Sequence, residues 1–149
     1  MAQIALIMGS VYGAAQTLAD TIQQVLHDKG HTTIYNASAL VSDVHDVDAC
    51  LIITSTTGQG DLPSNLEGFY FGARDTMPLQ NQKPFGVIAL GDSSYQTFCG
   101  AGEKMEELFY ELQGMAPVPM LKIDACETLE PESLALPWLE NWLATVNLK

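Results

Sequence analysis

Gln3-Ile4-Ala5-Leu6-Ile7-Met8-Gly9-Ser10-Val11-Tyr12-Gly13-Ala14-Ala15 follows Met1-Ala2, and its reading decides the fold. A short apolar run stops at a glycine, a small turn follows, and Ala19, Ile22, Val25 and Leu26 then recur at helical spacing before Lys29-Gly30. This is strand, turn, helix. The same punctuation returns twice. Ala49-Cys50-Leu51-Ile52-Ile53-Thr54-Ser55 reads as the third strand and ends in the loop Thr54-Ser55-Thr56-Thr57-Gly58-Gln59-Gly60-Asp61, and Lys83-Pro84-Phe85-Gly86-Val87-Ile88-Ala89-Leu90 reads as the fourth and ends in Leu90-Gly91-Asp92-Ser93-Ser94-Tyr95-Gln96-Thr97-Phe98-Cys99. In an open parallel sheet, loops leaving the carboxyl ends of the strands meet where the strand order reverses, and ligands bind in the crevice there. Three loops rich in backbone N–H donors and hydroxyls, one with an aromatic residue, suit a ligand with a phosphate and a flat ring system.

The other elements fit around these. His31-Thr32-Thr33-Ile34-Tyr35-Asn36 is β-branched and aromatic-rich and reads as the second strand. The acidic stretch with Asp43, Asp46 and Asp48 reads as a solvated link to the third. Ser64-Asn65-Leu66-Glu67 has the form of a capping box, with Ser64 as N-cap, ahead of Phe69, Tyr70 and Ala73. Ala101 to Leu112 places Met105, Leu108, Phe109 and Leu112 on one helical face, with Glu103, Glu106 and Glu107 off it. Pro117-Val118-Pro119-Met120-Leu121-Lys122-Ile123-Asp124 reads as a fifth strand whose prolines favour an edge. A last helix from Pro131 buries Leu139, Trp142, Leu143 and Val146. Strands alternating with helices predict an α/β fold, a five-stranded parallel sheet with right-handed crossovers and helices on both faces.

A length of 149 residues suits one domain over 1–149. No apolar stretch approaches the roughly 20 residues that cross a bilayer, and the N-terminus lacks a signal-peptide pattern, so a cytoplasmic location is expected. Cys50, Cys99 and Cys126 are odd in number, well separated and without a Cys-x-x-Cys pair, which argues for reduced thiols and against a zinc site. Six Lys and Arg stand against 18 Asp and Glu, a net charge of −12. That disfavours nucleic acid and anionic membranes and favours a basic protein partner, although acidity also serves solubility.

The first loop lacks Gly-x-Gly-x-x-Gly and Gly-Lys-[Ser/Thr], so neither a pyrophosphate nor a nucleoside triphosphate is signalled. A strand-to-helix turn still directs unpaired N–H groups and the positive end of the helix dipole at an anion. No loop carries an evident catalytic acid, base, nucleophile or metal cluster. His27, His31 and His45 lie outside the loops and read as surface groups.

Taken together, the three loops resemble those of the flavodoxin family, in particular the short MioC-like members and the FMN domains of sulfite reductase and related diflavin reductases. Thr56-Thr57-Gly58-Gln59-Gly60-Asp61 looks like the family's second flavin loop, and Leu90-Gly91-Asp92-Ser93-Ser94-Tyr95 with Phe98-Cys99 like its third. The resemblance covers essentially the whole chain and implies a three-layer sandwich with sheet order 2-1-3-4-5. It implies non-covalent FMN as cofactor. Ser10, Val11, Tyr12, Gly13, Ala14 and Ala15 would surround the ribityl phosphate. Ser55, Thr56, Thr57 and Gly58 would line one side of the isoalloxazine, and Leu90, Gly91, Asp92, Ser93, Ser94, Tyr95, Gln96, Thr97, Phe98 and Cys99 the other, with Tyr95 stacked on the ring. Asp61 and Asp92 would lower the second reduction potential by their charge.

The implied role is an electron carrier between a donor, such as a flavodoxin or ferredoxin NADP reductase, and an acceptor enzyme. Two departures qualify the match. Ala14 and Ala15 stand where the family commonly has Asn and a hydroxyl residue, and each missing hydrogen bond weakens phosphate binding by roughly 1–3 kcal/mol. Thr57 replaces a second aromatic. An interaction module with weakened flavin binding, and a small NAD(P)H-dependent flavin reductase, therefore stand as alternatives.

Overall fold

The computed structural model describes residues 2–11, 13–56, 60–91, 99–125 and 130–146. Five strands, β1 (Gln3–Gly9), β2 (Thr32–Tyr35), β3 (Ala49–Ser55), β4 (Phe85–Gly91) and β5 (Leu121–Asp124), alternate with four α-helices. The helices are α1 (Ala14–Asp28), α2 (Ser64–Thr76), α3 (Gly100–Glu111) and α4 (Glu132–Val146). All strand pairs are parallel, in the order β2-β1-β3-β4-β5. None of the described helices is long and apolar enough to cross a membrane.

Successive strand residues point to opposite faces, so each central strand feeds two cores. Ile4, Leu6 and Met8 join Leu51, Ile53 and Ile88 beneath α1 and α4, against Leu18, Ile22, Leu26, Leu139 and Trp142. Ala5 and Ile7 join Cys50, Ile52, Phe85 and Val87 beneath α2 and α3, against Leu66, Phe69, Met105, Leu108 and Phe109. That explains why these strands read as near-continuous apolar runs rather than alternating ones. Each large side chain removed from water contributes about 1.5–3 kcal/mol.

Three local expectations are corrected. Ser64 does not cap α2: it is the first helical residue, Pro63 holds the N-cap position, and no side-chain cap bond forms. Asp43 is buried at 6% exposure rather than solvated. It accepts from the Leu40 N–H at 3.1 Å and from Asn36 Nδ2 at 2.8 Å, because the chain makes a short 3-10 turn there, Val41–Val44, whose first N–H groups need an acceptor. The fifth strand, an edge strand as expected, begins only at Leu121. Pro117 and Pro119 precede it because proline has no N–H for a ladder.

Candidate functional site

The parallel register brings the three loops level. Gly9 pairs with Thr54 and Ser55 with Leu90, so β1, β3 and β4 end side by side. After β1 the chain goes to β2 on one side and then to β3 on the other, which makes the β1/β3 boundary the point of reversal and opens a crevice above it. Ser10, Val11, Gly13, Ala14, Ala15, Ser55, Thr56, Leu90, Gly91 and Cys99 are described along this edge. Tyr12, Thr57, Gly58, Asp92, Ser93, Ser94, Tyr95, Gln96, Thr97 and Phe98, like the thiol of Cys126, lie outside the described residues.

The first turn brings the start of α1 to the edge of the crevice. Gly13 enters α1 in the left-handed region, φ 94°, with no atom of the described residues within 4 Å of the place a Cβ would take. It makes no side-chain cap bond, and the first turn of α1 carries no acidic residue. The opening N–H groups of a helix have no partner within it, and the dipole adds positive potential there. The turn is braced by two bonds. Ser10 Oγ accepts the Gly13 N–H at 2.9 Å, and the Ser10 N–H donates to Asn65 Oδ1 at 2.9 Å. Ala14 is exposed, whereas Ala15 is fully buried in the core, so position 15 offers its backbone and not its side chain.

Hydroxyls bind the second loop to its neighbours. Thr54, fully buried, donates to the Ser55 carbonyl at 2.8 Å, and Ser55 Oγ donates to the Gly9 carbonyl at 3.4 Å. Thr56 Oγ1 accepts the Ala101 N–H at 3.3 Å, tying this loop to the first turn of α3. Gly60, at φ 85°, passes so close to α3 that a Cβ on Gly100 would stand 2.8 Å from Gly60 Cα and 3.0 Å from its carbonyl oxygen. Asn65 and this glycine contact were not evident from sequence, since both depend on partners far along the chain.

Asp61 is exposed and meets Lys104 at 3.7 Å, so part of its charge is offset. Beside the second loop lies an open groove of about 650 Å³, lined among others by Val11, Leu62, Tyr70, Phe71 and Arg74. The histidines stay outside the site. His27 and His45 are exposed, while His31 is half-buried and its Nδ1 accepts the Ala2 N–H at 3.1 Å; burial lowers its pKa. Among the described residues, no group of three or more His, Cys, Asp or Glu is placed to hold a metal.

Cys99 precedes α3 in a left-handed conformation, φ 56°, fully buried, with its Sγ 3.6 Å from the Ala89 carbonyl oxygen. Burial pushes its thiol from 9.0 up to about 11, with Glu103 and Asp124 adding and Lys122 opposing. Burial pushes Cys50 from 9.0 up to about 12 against the opposing charge of Lys83. The folded chain thus keeps protons that the unfolded chain releases. The thiols' contribution to stability is full below pH 9 and falls away as pH rises toward 11 and 12. In a Cys126→Ser variant at neutral pH, an aromatic disulfide reagent is expected to label no thiol until the protein unfolds. Rapid labelling of a native thiol would show that one of the two sites opens.

The comparisons agree with this geometry. The family model described as Flavodoxin matches residues 6–138. The chain is 38% identical over 144 residues to Flavodoxin YqcA of Escherichia coli, covering 95% of this chain and 97% of that protein. It is 35% identical over 143 residues to Protein MioC of the same species, covering 96% and 97%. Among solved structures, a cysteine-to-alanine mutant of a flavodoxin from Pseudomonas aeruginosa superposes with a TM-score of 0.91 at 42% identity, covering 98% of this chain and 99% of that one.

Proposed function

The chain belongs to the flavodoxin family, and from that premise we propose that it is a single FMN domain that carries single electrons between a reductase and an acceptor enzyme. The observation that carries the reading is the first turn of α1, at the reversal point of the sheet: it holds no carboxylate, and among the described residues there is no side-chain cap bond and nothing within 4 Å of a Cβ built on Gly13. In a chain of net charge −12, a helix start kept clear of carboxylates fits the phosphate end of FMN.

Bound FMN supplies the electron uptake and release. The chain's own residues hold and screen it. The Ser10 hydroxyl and the N–H groups opening α1 bind the phosphate; the Ser10 and Gly13 N–H groups are already bonded within the chain, so those two are not among the donors. Ala14 and Ala15 supply main chain only, and affinity is correspondingly lower than with side-chain donors. Ser55, Thr56, Thr57 and Gly58 flank one side of the ring, and Leu90 to Cys99 the other, with Tyr95 as the stacking aromatic. The Gly58 peptide is the candidate acceptor for a proton held at the ring's central nitrogen. The acidic surface steers a basic donor or acceptor protein toward the exposed ring edge.

The test is a titration of the purified protein with FMN, followed by anaerobic stepwise reduction. Expected are saturable binding with quenched flavin fluorescence and two separated one-electron steps. No uptake at micromolar FMN would put the interaction-module reading first. Direct oxidation of NAD(P)H without a reductase would favour the flavin reductase instead.

A further inference from the structure

Asn65 stands in the first turn of α2, yet it takes no part in capping that helix. Its amide is instead fully engaged with three other segments. Oδ1 accepts the Ser10 N–H at 2.9 Å, and Nδ2 donates to the Met8 carbonyl at 3.1 Å and to the Ala37 carbonyl at 2.8 Å. The orientation of the amide follows from its partners: turned over, it would set N–H against N–H and oxygen against two carbonyl oxygens. One side chain thereby ties the end of β1, the start of the turn and the segment after β2 to α2. Ser10 passes the constraint on, because its hydroxyl accepts the Gly13 N–H at 2.9 Å, and Gly13 is where α1 begins.

Resting on the FMN reading, we propose that Asn65 is a positioning residue for the phosphate turn: it fixes the course of Ser10 so that Ser10 and the N–H groups opening α1 converge on one anion. The chain lacks side-chain donors at Ala14 and Ala15, so phosphate affinity depends on backbone N–H groups, whose value lies in being held in place before the ligand arrives. Asn65 itself does not touch the ligand. Its amide is spent on the protein.

The test uses two ligands that differ only in the phosphate. In Asn65→Ala, the FMN dissociation constant is expected to rise about tenfold, while that of riboflavin changes less than twofold. Equal weakening of both ligands, or of neither, overturns the proposal, since a purely structural role does not distinguish them. Should the variant fail to fold, nuclear magnetic resonance of the native complex decides. Coupling across hydrogen bonds from the flavin phosphorus is expected at amides opening α1 and not at the Ser10 amide, which Asn65 already holds, and coupling at the Ser10 amide overturns the proposal. A native chain that takes up neither FMN nor inorganic phosphate brings down the FMN reading and this inference with it. A native chain that binds FMN, with an indifferent Asn65→Ala, brings down the inference alone.

Discussion

Replacing Trp142 with alanine is expected to cost about 3–5 kcal/mol of folding stability, among the largest losses any single truncation of this core would give. Trp142 is fully buried between α4 and the sheet. Its ring stacks on Trp138 at 6.4 Å between centroids and 13° between planes, and its indole N–H donates to the Phe85 carbonyl at 3.2 Å. The space it fills exists because position 86 is glycine: a Cβ there would lie 2.7 Å from Trp142 Nε1 and 2.6 Å from Trp138 Cη2. Truncation leaves a large void and strips a buried carbonyl of its donor, two losses that add. For a domain of this size the melting temperature should fall on the order of 10 °C, as read by calorimetry. A loss below about 1 kcal/mol would mean that α4 settles onto β4 without the ring, and that the indole does not hold the two together.

Gly100→Ala is expected to act on the site rather than on the core. The added methyl meets the Gly60 backbone, not a side chain that could swing aside. Either the second loop or the start of α3 must shift, breaking the Thr56 to Ala101 bond. The expected result is at least a tenfold loss of FMN affinity with a stability cost of about 1–3 kcal/mol. Gly68→Ala is the control, because nothing lies within 4 Å of the new methyl. Within α2 it should leave FMN binding unchanged and stabilise by about 0.5–1 kcal/mol. If Gly100→Ala binds FMN as the native protein does, the contact between loop and helix has no bearing on the cofactor.

Much of the architecture was legible because it rests on short-range patterns. The apolar runs of β1, β3 and β4, and the spacing of Ala19, Ile22 and Leu26 or of Met105, Leu108 and Phe109, each require one kind of element whatever lies elsewhere. The misreadings came where a local pattern had more than one solution. Ser64 to Glu67 satisfies the capping-box pattern, but Pro63 occupies the cap. Asp43 looked solvated because it is charged and lies among other acids, though its partners Asn36 and Leu40 are within seven residues and the spacing Leu40-x-x-Asp43 was a readable hint of a turn. Asn65 gave no such hint. Its partners Ser10, Met8 and Ala37 lie 55, 57 and 28 residues away, and only the assembled sheet brings them to it.

The stacked tryptophans of α4 have a spectroscopic consequence. They are the two tryptophans of the chain, and Trp142 belongs to the core beneath α1 and α4, with Trp138 packed against it. Tryptophan emission therefore originates from one stacked pair, remote in sequence from the loops that follow β1, β3 and β4. A red shift of that emission reports α4 leaving the sheet. Quenching without a shift, on adding a flavin, reports energy transferred across the layers to an absorbing acceptor, so a single fluorescence trace separates loss of fold from gain of cofactor.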